Sequence, residues 1–373
     1  MALPVIILLI IVYGYTLLIL LFYLEIDKDP DQGLSPLVYS RSISVIVPFK
    51  NEADFLRGLF EDLSKQSYPA ELFEVIFVDD HSMDGSAAIL ASMIRNCEHF
   101  SQLSLPAGIS GKKKALAYGV EHAKYERIIQ VDADCRLRKS FISAHAAFLE
   151  KQDSDLVAGI VNTGTGKGNF LESFERLDIL SLAGSAAGSF SLGRPMICSG
   201  ANLSYSKELY RETRNFDPVT SIASGDDMFL MIGARKLGRT LSFNTLPGAM
   251  VTTAPVKDWR SLINQRIRWG SKTGRYGMPD IQLLALLVTL ANISVLLMPL
   301  WTILFPGLWP WLAGAYLMKT LADFMLLYRI TGISGSRKSL KIFLPVSLLY
   351  YPYFMVCLFG ALRGKFAWKT VTK

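Results

Sequence analysis

Asp79-Asp80, Asp132-Ala133-Asp134 and Asp226-Asp227 set carboxylates within two residues of one another at three places in the chain. Adjacent carboxylates repel, and where they end a buried strand a ligand, a metal ion or hydrogen bonds must compensate them. Asp79 and Asp80 are therefore expected to contact a bound donor molecule. Asp132 and Asp134 follow an apolar run, and their spacing lets both approach one divalent ion while its other positions stay with water and phosphate. An Asp-x-Asp occurs by chance on many surfaces; its placement after a strand gives this one weight. Asp226 and Asp227, in Ser224-Gly225-Asp226-Asp227, precede the apolar segment 228–237. As a helix cap they need no catalytic role; near an acceptor hydroxyl, one of them could take its proton during group transfer.

Basic and aromatic residues complement these acids. Gly111-Lys112-Lys113-Lys114 opens a helix, and a helix N-terminus beside an ammonium is an anion site, which singles out Lys112 for a diphosphate. Lys113 and Lys114 read as a solvated turn. The spacing is not that of a Walker A loop, and no dinucleotide Gly-x-Gly-x-x-Gly follows the first strand. Residues 257–276 have the period of an amphipathic helix lying at a membrane surface. Trp259, Leu262, Ile263 and Gly270 form one stripe of it. Gln265, Arg268 and Trp269 form another, at i, i+3 and i+4, where an amide, a fixed cation and an indole share a face. Lipid phosphates account for Lys257, Arg260 and Lys272, but not for a Gln-x-x-Arg-Trp cluster. Asp84 reads as a helix cap.

These residues need elements to hold them. Runs 43–47, 74–78, 127–131 and 156–161 are short and β-branched, with helix-like segments between, which predicts an α/β fold of βα units around a largely parallel sheet. Such sheets bind ligands beyond the carboxyl ends of their strands, where Pro48, Asn51, Glu52, Asp79, Asp80, Asp132 and Asp134 are expected to lie. The chain is 51% hydrophobic, with a mean hydropathy of +0.30, and its apolar residues concentrate at 3–24 and beyond 280. Residues 3–24 are uncharged and long enough to span a bilayer; with no basic n-region or cleavage site they read as an anchor, not a signal peptide. Further spans are predicted at 281–304, 308–328 and 342–362, with Trp and Tyr at their ends. If the middle is cytoplasmic, Arg329, Arg337, Lys338 and Lys341 fall inside, as the positive-inside rule prefers. Arg363, Lys365, Lys369 and Lys373 would then fall outside, unless the segment of Pro345 and Pro352 re-enters the membrane. Lys319 and Asp323, at i and i+4 in the third span, read as a mutually neutralising pair, with contact to an acceptor head group or a water path as the alternative. A net charge of +7 and a pI near 9.1, beside such spans, fit a membrane surface or a phosphate-bearing ligand, and no nucleic acid is expected as a partner. Cys97, Cys135, Cys198 and Cys357 are widely spaced, form no CxxC pair and read as reduced packing thiols.

Taken in order, these motifs resemble the membrane-integrated members of glycosyltransferase family 2, the group that includes ceramide glucosyltransferase, cellulose synthase and hyaluronan synthase, across residues 40–276 and the flanking spans. The resemblance implies a GT-A fold, a nucleotide-sugar donor, usually a UDP-sugar, and a Mg or Mn ion. Asp79 and Asp80 would contact the nucleoside, beside Pro48, Asn51 and Glu52. Asp132 and Asp134 would bind the diphosphate and the metal. Asp227 would be the general base, with Asp226 a second candidate because many members read Thr-Glu-Asp where this chain has Gly225-Asp226-Asp227. Gln265, Arg268 and Trp269 match the QxxRW motif, whose arginine faces the diphosphate and whose tryptophan lines the acceptor end. Gly200, Ala201 and Asn202 match the segment bordering the transferred sugar.

One base and no separate nucleophile imply a single displacement with inversion. The expected organisation is an anchor at 1–25, a GT-A catalytic domain at 40–256, an interfacial helix at 257–278, transmembrane helices at 281–362 and a basic tail at 363–373. A lipid or lipid-linked acceptor at the cytoplasmic face of a bacterial inner membrane is favoured. A processive polysaccharide synthase would need partner membrane proteins to complete a channel. A catalytically inactive nucleotide-binding scaffold would have lost an acid of the Asp-x-Asp or the base, and none is missing. A transporter would show an internal repeat, and none is evident.

Overall fold

The computed structural model describes residues 3–26, 40–164, 168–214, 225–272, 274 and 276–363. The chain divides into two compact units, one of residues 27–164 and 189–254, the other of residues 1–26, 165–188 and 255–373.

The first unit is α/β. Strands β1 (Ile43–Phe49), β2 (Phe73–Asp79), β3 (Phe100–Ser104), β4 (Arg127–Val131), β6 (Leu156–Gly159), β8 (Asn202–Ser206) and β9 (Leu241–Asn244) form one sheet in the order β3-β2-β1-β4-β8-β6-β9. β5 (Cys135–Leu137), β7 (Val161–Thr163) and β10 (Val251–Thr253) form a second sheet in the order β5-β10-β7. β1 pairs parallel with β2 and β4, and β2 with β3; β8 runs antiparallel between β4 and β6. All seven residues of β1 are buried, as a central strand covered on both faces requires. The connecting helices are α2 (Ala53–Ser64), α3 (Ser86–Ile94), α4 (Lys112–His122), α5 (Phe141–Lys151), α7 (Lys207–Thr213) and α8 (Asp226–Lys236).

Two strands differ from expectation. Pro48 lies inside β1, opposite Val78, instead of following it. The ladder to β4 stops at Ile46, so the proline sits where β1 has one strand neighbour and its missing N–H is tolerated. The run 156–161, expected as one strand, breaks at Ile160 into β6 and β7, which join different sheets. All six residues are buried, so no alternation in the sequence marks the bend.

The second unit is helical: α1 (Leu3–Glu25), α6 (Phe170–Ser191, as far as Gly188), α9 (Trp259–Gly270), α10 (Pro279–Leu304), α11 (Trp309–Ile333) and α12 (Phe343–Arg363). Val5, Leu8 and Val12 of α1 pack with Val295 and Met298 of α10, Leu312 and Ala315 of α11 and Tyr351 of α12. A Cβ on Gly188 would lie 2.5 Å from the Cα of Phe22, so the α6–α1 crossing depends on glycine there. Among the described residues, three helices are long and apolar enough to cross a membrane: Leu3–Glu25, Pro279–Leu304 and Arg337–Arg363. α11, expected as a further span, is long enough but not among them; Lys319 and Asp323, with the Trp-Pro-Trp at its start, lower its hydropathy. α9 is shorter than the expected 257–276. Asp258 caps it by accepting from the Ser261 N–H at 2.7 Å, and it ends at Gly270.

Candidate active site

β1 and β2 end side by side, Phe49 opposite Asp79, and the loops beyond them are tied together. Asn51 (φ 55°) and His81 (φ 56°) have left-handed backbone, alone among the described non-glycine residues, a conformation that costs energy and persists only where surroundings enforce it. Here the Asn51 N–H donates to Ser82 Oγ at 2.9 Å and Met83 N–H to Asn51 Oδ1 at 2.8 Å. Glu52 N–H donates to Ser86 Oγ at 2.9 Å. Asp84 accepts from the backbone N–H of Ala53 and of Ser86, each at 3.0 Å, so it satisfies the first N–H of α2 and of α3.

The adjacent carboxylates of Asp79 and Asp80 are compensated in part by this loop. Asp79 Oδ1 accepts from Ser82 N–H at 3.0 Å. Asp80 Oδ2 accepts from Gly111 N–H at 3.0 Å and Lys50 Nζ at 3.3 Å. Asp80 Oδ1 is buried without a hydrogen-bond partner. An orphaned buried carboxylate oxygen is costly, and a ligand's N–H or O–H would relieve it.

A second cluster forms around Lys112, the first residue of α4. Its Nζ lies 2.6 Å from Asp132 Oδ1. Burial works against its charge, but Asp132, with Asp226 and Asp227 beyond it, holds the ammonium above the ordinary lysine range. Burial, reinforced by Asp132 and Glu52, pushes the Asp134 carboxyl up to about 7. Burial and the charge of Asp226 also raise Asp227, against hydrogen bonds from Met228 N–H (2.8 Å) and Gly200 N–H (2.9 Å) that favour its ionised form. Asp226 Oδ2 is a second buried carboxylate oxygen without a partner. The fold thus brings Glu52, Lys112, Asp132, Asp134, Asp226 and Asp227 into one electrostatic neighbourhood from segments far apart in sequence.

No three His, Cys, Asp or Glu side chains among the described residues converge on a metal-binding geometry. Asp132 and Asp134 supply only oxygen ligands, which suits a hard divalent ion, and the crowded negative charge that raises Asp134 is what such an ion would relieve.

Gly200 reaches this cluster, whereas Ala201 is buried and Asn202 is committed inward. The Asn202 amide donates to Ile160 O at 3.0 Å and Ala249 O at 2.9 Å, and its Oδ1 meets His145 Nε2 at 3.1 Å. Asn202 therefore shapes the floor instead of lining the site. Gln130, which sequence reasoning passed over, is a buried polar residue of β4 whose Oε1 accepts from Tyr205 OH at 3.3 Å. A Cβ at position 200 would lie 2.7 Å from Gln130 Nε2, so any larger residue there would have to displace the glutamine amide. A lone glutamine in the apolar run Arg127 to Val131 was the available signal.

In the helical unit, Gln265 and Arg268 are half-buried on α9 and Trp269 is 36% exposed. Arg266, which carried no expectation, is the buried cation of this helix, paired with Asp178 of α6 at 2.6 Å. All four cysteines are free thiols. Ser224 and the tail from 364 lie outside the described residues.

Residues 44–214 match the model of Glycosyl transferase family 2. Among curated relatives, the poly(ribitol-phosphate) beta-N-acetylglucosaminyltransferase TarS of Staphylococcus aureus is 30% identical over 143 residues, 37% of this chain and 25% of TarS. The chain thus spans about a quarter of that relative's length. Glycosyltransferase AglE of Haloferax volcanii is 22% identical over 233 residues, 61% of this chain and 71% of AglE. Among solved structures, the mannosyltransferase PcManGT from Pyrobaculum calidifontis, in complex with GDP-Man and Mn2+, is 17% identical and superposes with a TM-score of 0.53 over 95% of this chain and 98% of its own. The mostly parallel α/β unit is a GT-A domain, accompanied by three apolar helices that could span a membrane.

Proposed function

We propose that the protein is a membrane-anchored, inverting glycosyltransferase. It moves a hexose from a nucleotide sugar, a UDP-sugar in the first instance, to a lipid or lipid-linked acceptor at the cytoplasmic face of a bacterial inner membrane. The observation that carries the reading is the grouping of Lys112 with Asp132, Asp134, Asp226 and Asp227 at the end of β4 and the start of α8, where a leaving diphosphate and an attacking hydroxyl both need charged partners.

Asp80, with its unpartnered Oδ1, binds the nucleoside with Asp79, and the Pro48 to Glu52 segment shapes that end of the site. Asp227 takes the proton of the acceptor hydroxyl. Its carboxylate is aimed by the backbone N–H groups of Gly200 and Met228, and its raised proton affinity suits a general base. Lys112 stabilises the charge that develops on the departing diphosphate. Asp132 and Asp134 are the residues that would hold Mg or Mn, which when bound supplies further stabilisation of that charge. Gln265, Arg268 and Trp269 enter through their match to the QxxRW motif. Apolar helices in the same chain as a GT-A domain support a membrane-borne acceptor.

The test is incubation of detergent-purified protein with UDP-sugars or GDP-mannose and Mg or Mn, measuring nucleoside diphosphate release and labelled lipid. Asp227→Asn should lower transfer by at least ~10²-fold while UDP affinity by calorimetry stays near that of the wild type. Loss of UDP binding would show that Asp227 is not the base; no turnover and no nucleotide binding by the wild type would overturn the enzymatic reading.

A further inference from the structure

Within α9, Arg266 stands between two residues of the QxxRW motif in space as well as in sequence. Its guanidinium is buried, with 9% of the side chain exposed, and its Nε lies 2.6 Å from Asp178 Oδ2. That same oxygen accepts from Tyr353 OH at 3.2 Å. Arg266 Nη1 donates to Gln265 Oε1, and its Cζ lies 4.3 Å from the centre of the Trp269 ring. One buried cation therefore holds the amide of Gln265 and lies over the face of Trp269, while Asp178, itself held by Tyr353, holds the cation.

A guanidinium carries only donors. Whichever way an amide is first placed beside it, the half that faces the guanidinium must be the oxygen, and the half left over is the NH2. We propose that Arg266 is a positioning residue that makes Gln265 a hydrogen-bond donor alone toward bound substrate, directed at a phosphate or sugar oxygen, and that sets the plane of Trp269. The proposal rests on the reading of the QxxRW residues as functional. It accounts for an arginine–aspartate pair buried in the helical unit, which is weak evidence for stability alone because well-packed neutral residues commonly replace such pairs without loss.

Arg266→Met alone would leave Asp178 buried and uncompensated, so the informative variant is Arg266→Met/Asp178→Asn, which removes both charges and keeps an acceptor for Tyr353. It is compared with Gln265→Ala, with the triple variant and with Gln265→Glu, in detergent, using UDP-N-acetylglucosamine, UDP-glucose and GDP-mannose with Mn. The neutral double variant should unfold near the wild-type temperature yet lose roughly ten- to a hundred-fold in kcat/KM, the effect of one hydrogen bond to a charged group. The triple variant should be no worse than the double. Gln265→Glu should lose as much as Gln265→Ala, because its outward half can no longer donate. Trp269 emission, isolated by difference from Trp269→Phe, should shift in the double variant. Wild-type kinetics in the double variant with Gln265→Ala impaired would overturn the positioning role and leave the proposed function standing, as would losses that multiply in the triple variant. Wild-type turnover by Gln265→Ala would instead remove the motif reading, and the proposal with it.

Discussion

Lys112 Nζ lies 2.6 Å from Asp132 Oδ1 in the α/β unit, and Lys319 Nζ lies 2.8 Å from Asp323 Oδ2 in the helical unit. The lengths are alike, but the surroundings are not. Lys319 is 3% exposed along its side chain. The other oxygen of Asp323 accepts from Tyr15 OH at 2.8 Å, and the rings of Tyr15 and Tyr351 lie 4.6 and 5.2 Å from the ammonium. One positive charge meets one negative charge, and aromatic faces and a phenol complete the shell. Lys112 is 36% exposed and faces an excess of carboxylates, one of which, Asp226, keeps an unpartnered oxygen. Burial of charge is therefore common to both regions, and what distinguishes a site from a strut is imbalance: surplus negative charge and vacant hydrogen-bonding capacity in one, closure in the other.

Removing one charge from each pair should separate the two. Asp323→Asn leaves the Lys319 ammonium without its counter-ion between helices, at a cost of about 3–5 kcal/mol, read as early thermal unfolding in detergent. Lys319→Met/Asp323→Asn should recover most of that loss. Lys112→Met should behave the other way round. Asp132, the carboxylate it frees, is 29% exposed along its side chain and open to water, so unfolding should shift little, while transfer falls by roughly 10²- to 10³-fold through lost stabilisation of the leaving diphosphate. If Asp323→Asn is stable and Lys112→Met is not, the assignment of strut and site is reversed.

Much of this contrast was legible in the sequence, for reasons that also mark its limits. β2 ends in an acid and the apolar runs of β1 and β4 are each followed by one within three residues, so their ends and the rim are legible from composition and the rule for parallel sheets. Lys319 and Asp323 are four residues apart, and helical geometry alone pairs them. Contacts made across long separations were not legible: Gly200 under Asp227, and Arg266 against Asp178, depend on how α8, α6 and α9 pack. Gln265, Arg268 and Trp269 form a stripe that helical spacing reveals, whereas Arg266, one residue round from Gln265, falls off that stripe and toward the interior. The bend at Ile160 escaped because burial on both sides of it erases any alternation.

His145 sharpens the comparison, because it is a fully buried polar residue inside the same α/β unit as the site. Burial pushes its imidazole down to about 4, against the hydrogen bond with Asn202 that favours the charged form. The unfolded chain therefore binds a proton that the folded chain refuses. Stability from this residue is fully present above the ordinary histidine value of 6.5 and declines as pH falls from there to about 4, by on the order of 3 kcal/mol in total. Chemical unfolding between pH 7 and pH 4 should show this slope in the wild type and a shallower one in His145→Gln.

Tyr15→Phe is the mildest change and bears on the closure itself. It removes the hydroxyl that donates to Asp323 Oδ1 but keeps the ring that faces Lys319. If the cluster is a balanced strut, the charge pair persists and only one hydrogen bond to a charged group is lost, costing about 1.5–3 kcal/mol at most and less where water reaches the freed oxygen. Asp323 is 26% exposed along its side chain, so water can replace the phenol, and a shift below that range, about 1 kcal/mol, is expected in unfolding free energy. Turnover should be unchanged. A Tyr15→Phe variant that kept its stability but lost transfer would mean that the phenol serves the reaction, and that the second lysine–aspartate pair belongs to the functional machinery after all.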